Sequence, residues 1–326
     1  MPKARSTDAK LARLRALHNL PLSPSVLRDL RTALGDSSNL VASEAAKISG
    51  EGRFTDLMPD LVAAFDYFLE NPVKKDKLCR AKIAIAEALN QMEYSEEDLF
   101  WRGARHVQPE PVWGGSQDTA APLRVTSAFA LVRLHAHGVM PFLVDLLNDS
   151  EKAARAGAVQ ALAYSETEAA GLLLRLKTRL GDQDPEVISE CFDGLVKLSP
   201  SEGVSFVAEF LESADAAIQE AAVLALGNSR RREAFEILKH FAANLVDARI
   251  QETVFLAVSL LRLPEATDFL LAQVATGSAA EARAALAALA LHRYDERVCE
   301  RTAAAVAKSG QAALAATFEK SFQVKR

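Results

Sequence analysis

The stretch Ala216-Ala217-Ile218-Gln219-Glu220-Ala221-Ala222-Val223-Leu224-Ala225-Leu226-Gly227 places Ile218, Ala222 and Leu226 at steps of four. That step lines all three on one face of a helix. The same spacing recurs upstream in Val187, Cys191 and Leu195, and downstream in Ile250, Val254 and Val258. Extended in both directions, the last residue of each set belongs to one column: Leu131, Leu162, Leu195, Leu226, Val258 and Leu289. Its members are separated by 31, 33, 31, 32 and 31 residues, the signature of a stack of helical repeats.

Between these inner helices runs a second column, Leu143, Leu176, Val207, Leu238 and Leu270, assigned to outer helices. Two columns in register predict hairpins that each bury a stripe against the next. The turns carry helix-start chemistry. Asp184-Pro185-Glu186 offers a cap, a proline for the first helical position and an acid near the positive dipole end. Ser278 and Glu281 have the spacing of a capping box, and Ser95 precedes Glu96, Glu97 and Asp98. Helices of about 10 to 15 residues are marginal alone in water, so stacking must supply the stability.

The stretches Asp149-Ser150-Glu151-Lys152-Ala153-Ala154-Arg155-Ala156-Gly157-Ala158-Val159-Gln160-Ala161-Leu162 and Ala221 to Gly227 resemble the short HEAT repeats of bacterial proteins, a resemblance covering residues 23–323. It implies an all-α fold, a right-handed superhelix of the HEAT/armadillo type with about eight to nine helical hairpins. The loop Asp and inner-helix Arg typical of the repeat occur together at Asp149 and Arg155, whereas most other units lack the Arg.

Composition agrees with close-packed helices: 49% hydrophobic residues, 25% charged, only 6% aromatic. A length of 326 would suggest two ordinary domains, but a solenoid lengthens by adding repeats, and one continuous unit is expected. The net charge of -5 gives no global attraction for phosphate backbones or anionic lipid. Cys79, Cys191 and Cys299 lie far apart inside helical patterns and read as buried thiols of a reducing compartment. With no long apolar run, the reading is a cytoplasmic protein with no membrane partner.

The period fails in two places. Ile48 to Leu89 spans 41 residues and Leu89 to Leu131 spans 42. The first excess is expected to lie in a longer outer helix, 57–69, and a longer inner one, 76–89. The second is a loop. Residues 100–124 hold both tryptophans, Trp101 and Trp113, with Arg102, Arg105, His106, Glu110, Asp118 and Arg124, and with Pro109, Pro111 and Gly114-Gly115. A polar, aromatic loop in an Ala/Leu stack is a site candidate. It has two readings: a cover folded back on the protein, with Trp113 as plug and Glu110 or Asp118 pairing Arg102, Arg105 or Arg124, or a recognition element. The segment His106 to Gly115, with Asp118-Thr119-Ala120 and Leu123-Arg124, is also similar to part of bacterial HEAT-repeat proteins, a resemblance that supplies no activity.

Enzymatic chemistry finds little footing. No pair of histidines has metal-ligand spacing, so no metal and no cofactor is expected. HEAT-like deoxyhypusine hydroxylases carry repeated His-Glu pairs, and here no His precedes Glu. Likeness to the phycobilin lyases is confined to the generic repeat. Alkylpurine DNA glycosylases built on HEAT-like repeats use aromatic residues and a carboxylate, which Trp101, Trp113 and Asp118 could mimic. Against this, residues 180–220 hold ten acids and Lys197 alone, which repels phosphate.

The sequence is therefore read as a noncatalytic scaffold or adaptor that binds a protein or peptide, a basic one where Glu190, Glu209, Glu212 and Glu220 line a groove. A DNA-binding or glycosylase-like protein is the alternative. The partner-binding candidates are Trp101, Arg102, Arg105, His106, Glu110, Trp113, Asp118, Arg124, Glu190 and Glu220. The expected organisation is a basic segment at 1–22, irregular repeats at 23–121 with an insert at 107–121, regular repeats at 122–294 and a cap at 295–326.

Overall fold

The computed structural model describes residues 2–18, 23–245 and 248–322. The predicted boundary at residue 22 and the chain end beyond 322 fall outside them. Where one continuous unit is expected from the sequence, contacts divide the chain into two compact units, Met1–Ser165 and Glu166–Arg326. In a repeat protein each hairpin touches mainly its neighbours, so a division of this kind falls between hairpins.

Unit 1 comprises α1 (Pro2–Leu17), α2 (Pro24–Leu34), α3 (Asn39–Glu51), α4 (Met58–Leu69), α5 (Pro72–Lys75), α6 (Arg80–Gln91) and α7 (Glu97–Ala104). A hairpin follows, β1 (Pro109–Val112) and β2 (Gly115–Asp118), and then α8 (Ala121–Arg133), α9 (Val139–Leu146) and α10 (Lys152–Ser165). Helix α3 packs on α6, α6 on α8 and α8 on α10. Unit 2 runs α11 (Glu168–Leu180), α12 (Pro185–Leu198), α13 (Pro200–Ala208), α14 (Ala216–Asn228) and α15 (Arg232–Ala243). It ends with α16 (Ala248–Leu260), α17 (Pro264–Thr276), α18 (Ala279–Leu289), α19 (Glu296–Ser309) and α20 (Ala312–Phe322). Here α12, α14, α16 and α18 stack in series, each against an outer helix. No helix among the described residues is long and apolar enough to cross a membrane.

The inner column is buried throughout: Leu131, Leu162, Leu195, Leu226, Val258 and Leu289 are all at most 1% exposed. In the outer column Leu143, Val207, Leu238 and Leu270 are buried, but Leu176 is 54% exposed. The core face of α11 is instead Ala170, Leu174 and Thr178. Leu172, Leu176 and Leu180 lie at steps of four on the opposite face, so apolar character alone could not tell which stripe turns inward.

Helix starts follow local chemistry unevenly. Ser278 and Glu281 form the predicted capping box, and the Asp215 carboxylate accepts from Ala217 and Ile218 N–H at α14. Asp184 occupies the cap position of α12 with Pro185 in the first turn, but its side chain makes no capping bond.

Both period breaks take forms that spacing did not reveal. The first is not a pair of longer helices: α6 begins at Arg80, and the extra residues form α5 and a 3-10 turn, Lys77–Cys79. Leu78 and Cys79 adopt left-handed backbone, φ 62° and 52°. Asp76 makes this turn possible by accepting the N–H of Ala81 at 2.8 Å and of Lys82 at 3.1 Å, the donors a helix start leaves unpaired. The second break, expected as a loop, contains an antiparallel hairpin that pairs Pro109 with Asp118 and Val112 with Gly115. Two residues, Trp113 and Gly114, close it, and Gly114 has φ +90°, the region that the third residue of a type II turn occupies. The prolines of β1 are tolerated because a two-stranded ribbon has open edges that require no donor.

Candidate functional site

The two interruptions of the period, about one repeat apart in sequence, dock on each other. Glu110, on β1, turns inward and is 3% exposed. Its Oε1 accepts from the Leu78 N–H at 2.6 Å, Gln108 Nε2 at 2.7 Å and Thr119 Oγ1 at 2.8 Å. Burial works against the charge, yet the Thr119, Gln108 and Leu78 donors and the nearby Lys77 hold the carboxyl below the ordinary glutamate range. Gln108, fully buried, also donates to Asp76 O at 2.7 Å. Beneath it lies a buried ion pair, Lys82 Nζ to Asp76 Oδ2 at 2.9 Å, both side chains 0% exposed. Asn39 donates to Asp76 Oδ1 at 3.1 Å and Lys82 to Phe68 O at 3.3 Å, which completes the satisfaction a buried charge pair needs. Cys79 is buried alongside, and burial pushes its thiol up to about 12, leaving it inert.

The hairpin base is held by a second cluster. Asp118 accepts from the N–H groups of Gln108 and Ala120 and pairs with Arg124 at 2.5 Å. Burial opposes ionisation, but these donors bring Asp118 below the usual carboxylate range. Arg124 also reaches Asp149 at 3.0 Å and His106 O at 2.9 Å. Desolvation is outweighed by the two carboxylates, and Arg124 stays charged. Asp118 with Arg124 repeats the six-residue spacing of Asp149 with Arg155, whose Nη1 donates to Asp149 O at 2.9 Å. The pair typical of the repeat therefore occurs twice, and at its first occurrence Asp118 and Arg124, candidates for recognition by type, serve the fold.

The remaining candidates separate. Trp101 is half-buried, edge-on to Phe142 at 5.7 Å, with the Arg105 guanidinium 5.1 Å from its ring. Arg102 pairs with Asp66 at 2.6 Å and Asp98 at 2.9 Å. His106 contacts Gln108 Oε1 at 3.2 Å, and burial keeps its pKa below the ordinary histidine value. Trp113 is no plug: at the hairpin tip its side chain is fully exposed, 103%. Trp101, Trp113 and Asp118 consequently share no pocket, and the Asp118 carboxylate is already occupied by Arg124 and two backbone donors. Among the described residues no cluster of metal-ligating side chains occurs.

Sequence reasoning missed Asn39, Asp76, Lys82 and Thr119, and placed Gln108 among the polar loop residues without a role. One signal was available for Lys82, which stands at helical spacing from the buried Ile85, Ala86 and Leu89 and so interrupts an apolar stripe.

In unit 2, Glu190 lies beside Asp193, whose carboxyl is pushed up by burial and by the Glu190 charge against a hydrogen bond from Asn228. Glu220 is engaged by Arg249 at 2.9 Å, and Glu209 by Arg179 at 2.5 Å. Glu212 and Glu236 are exposed, and no ion pair engages either among the described residues. Together with Leu211, Ile237, His240 and Phe241 they line an open cleft of about 700 Å³ between α13 and α15. Glu236 and His240 also border a neighbouring cleft of about 380 Å³, with Phe255, Phe269 and Glu281.

Residues 204–291 match the family model for HEAT repeats. No curated protein matches the sequence. Among solved structures, the chain is similar to the complex of CpcE and CpcF of phycocyanin lyase from Nostoc sp., with 17% identity, 90% of this chain and 96% of that chain covered, and a TM-score of 0.36. It is similar to an engineered protein with 16% identity, 97% and 93% coverage and a TM-score of 0.34. It is also similar to human deoxyhypusine hydroxylase in complex with glycerol, with 16% identity, 78% and 98% coverage and a TM-score of 0.31.

Proposed function

We propose that this chain, whose residues 204–291 are HEAT repeats, is a noncatalytic scaffold that holds a basic protein segment on unit 2. The observation that carries the reading is the cleft between α13 and α15, where the exposed Glu212 and Glu236, engaged by no ion pair among the described residues, stand over an apolar floor of Leu211, Ile237 and Phe241. A segment with Lys or Arg beside aliphatic side chains satisfies both parts of that surface. Charge distribution supports the choice of unit. Unit 1 holds 20 basic and 20 acidic residues and unit 2 holds 18 and 23, so the whole net charge of -5 resides in unit 2. Glu190 and Glu220 take a lesser part than expected, since Glu190 is half-buried and Glu220 already pairs with Arg249.

The test is affinity capture from the source lysate with wild type, Glu212→Lys/Glu236→Lys and Glu190→Lys/Glu220→Lys. The first double variant is expected to lose a basic partner that the second retains. Equal capture by all three chains sinks the cleft as the binding surface.

A further inference from the structure

We propose that an edge of unit 1, formed by the hairpin tip and residues 72–80, docks on an anionic membrane surface, with Trp113 entering the interface and Lys74, Lys77 and Arg80 meeting the headgroups. The tip stands clear of the protein: Trp113 is fully exposed, and a Cβ added at Gly114 or Gly115 would meet nothing within 4 Å. Yet it is held out on a fixed stalk, because Glu110, Gln108 and Asp118 anchor the ribbon through the buried bonds described above.

Exposed aliphatic side chains lie on the ribbon, at its base and on residues 72–80. Val73, Leu78, Val107 and Val112 are each between 45% and 60% exposed. Leu78 bonds to Glu110 through its own N–H, so it lies directly against β1. Lys74, Lys77 and Arg80 are exposed on the same segment, and no ion pair engages them among the described residues. The charge of Lys77 is felt at Glu110, which places it beside the ribbon. Lys75 differs, being taken up by Glu70 at 2.8 Å and by the Tyr67 ring at 3.8 Å.

A tryptophan ring with aliphatic neighbours suits the boundary between headgroups and acyl chains, and each nearby Lys or Arg adds attraction to an anionic leaflet. A phosphate backbone alone would leave the four aliphatic side chains without a use. The global charge argument against lipid averages over both units, and the acidic excess belongs to unit 2.

The full chain carrying Trp101→Phe leaves Trp113 as its one tryptophan and hence a reporter. It is mixed with vesicles of phosphatidylcholine, with and without about 30% phosphatidylserine, and followed by emission and co-sedimentation. The expected result is a blue shift and sedimentation with the anionic vesicles, each diminished by salt. Trp113→Ala and Lys74→Glu/Arg80→Glu should each weaken binding about tenfold while leaving the melting curve in place, since the altered side chains are exposed. An unshifted emission with anionic vesicles overturns the proposal, as does vesicle binding that is indifferent to Trp113→Ala. Quenching of Trp113 by a captured protein, with no response to vesicles, equally overturns it and assigns the tip to a protein pocket.

Discussion

Arg124 donates to Asp149 at 3.0 Å across the boundary between two successive repeats, while its other terminal nitrogen holds Asp118 within its own. One guanidinium thus ties the base of the β-hairpin to the turn that precedes α10. With Arg124 6% exposed and the two carboxylates 11% and 15%, the bonds form where water screens little. Arg124→Ala leaves both acids underpaired and should cost about 3–5 kcal/mol in urea unfolding. Arg124→Lys keeps the charge but loses the two-pronged geometry, so it should fall between wild type and the alanine variant.

Glu110 gives a pH dependence of known sign. Its pKa is lowered in the folded chain, so its contribution is present above the ordinary glutamate value of 4.5 and is lost as pH falls through the lower folded value. Glu110→Gln should therefore remove part of the acid sensitivity below that value, visible in melts at neutral pH and at about pH 3.5. Glu110→Ala strands the Leu78 N–H and the buried Gln108 amide and should cost about 2–4 kcal/mol at neutral pH.

Lys82 and Asp76 form the fully buried ion pair beneath the hairpin. Lys82→Ala leaves Asp76 without its cation in a fully buried place and should cost about 3–5 kcal/mol, whereas Lys82→Met with Asp76→Asn should recover part of the loss in a double-mutant cycle. Additive single losses would show that the pair is not coupled.

On α11 the two apolar faces should respond in opposite ways. Leu174→Ala opens a cavity in the core and should cost about 2–5 kcal/mol. Leu172→Gln with Leu176→Gln, on the exposed face, should leave thermal stability within about 0.5 kcal/mol of wild type.

Gly227 tests the closeness of the inner stack. A Cβ there would stand 2.6 Å from Ala257 O and 2.7 Å from its Cα, both backbone atoms that cannot turn aside. Gly227→Ala should force α14 from α16 and cost about 1–3 kcal/mol, measured by chemical denaturation.

Particular residues mark how far the sequence could be read. The column from Leu131 to Leu289 was legible because burial at helical spacing is written locally, with each hairpin repeating the same requirement. Leu176 misled because α11 has apolar residues on two faces and only its neighbours choose between them. At the candidate site, Trp113 and the acids were visible by type, but not their roles: Glu110 became an anchor because Leu78, 32 residues away, presents an N–H to it.

By itself the chain determined helices, their period and the places where the period fails, since those follow from side-chain polarity along a few turns. Tertiary structure alone decided that the two failures interlock through Asp76, Gln108 and Glu110, that Asp118 and Arg124 serve the fold, and that Trp113 is left in water. The reason is that a polar side chain's function depends on which donors and acceptors reach it when water is excluded, and these come from segments whose proximity no local pattern encodes.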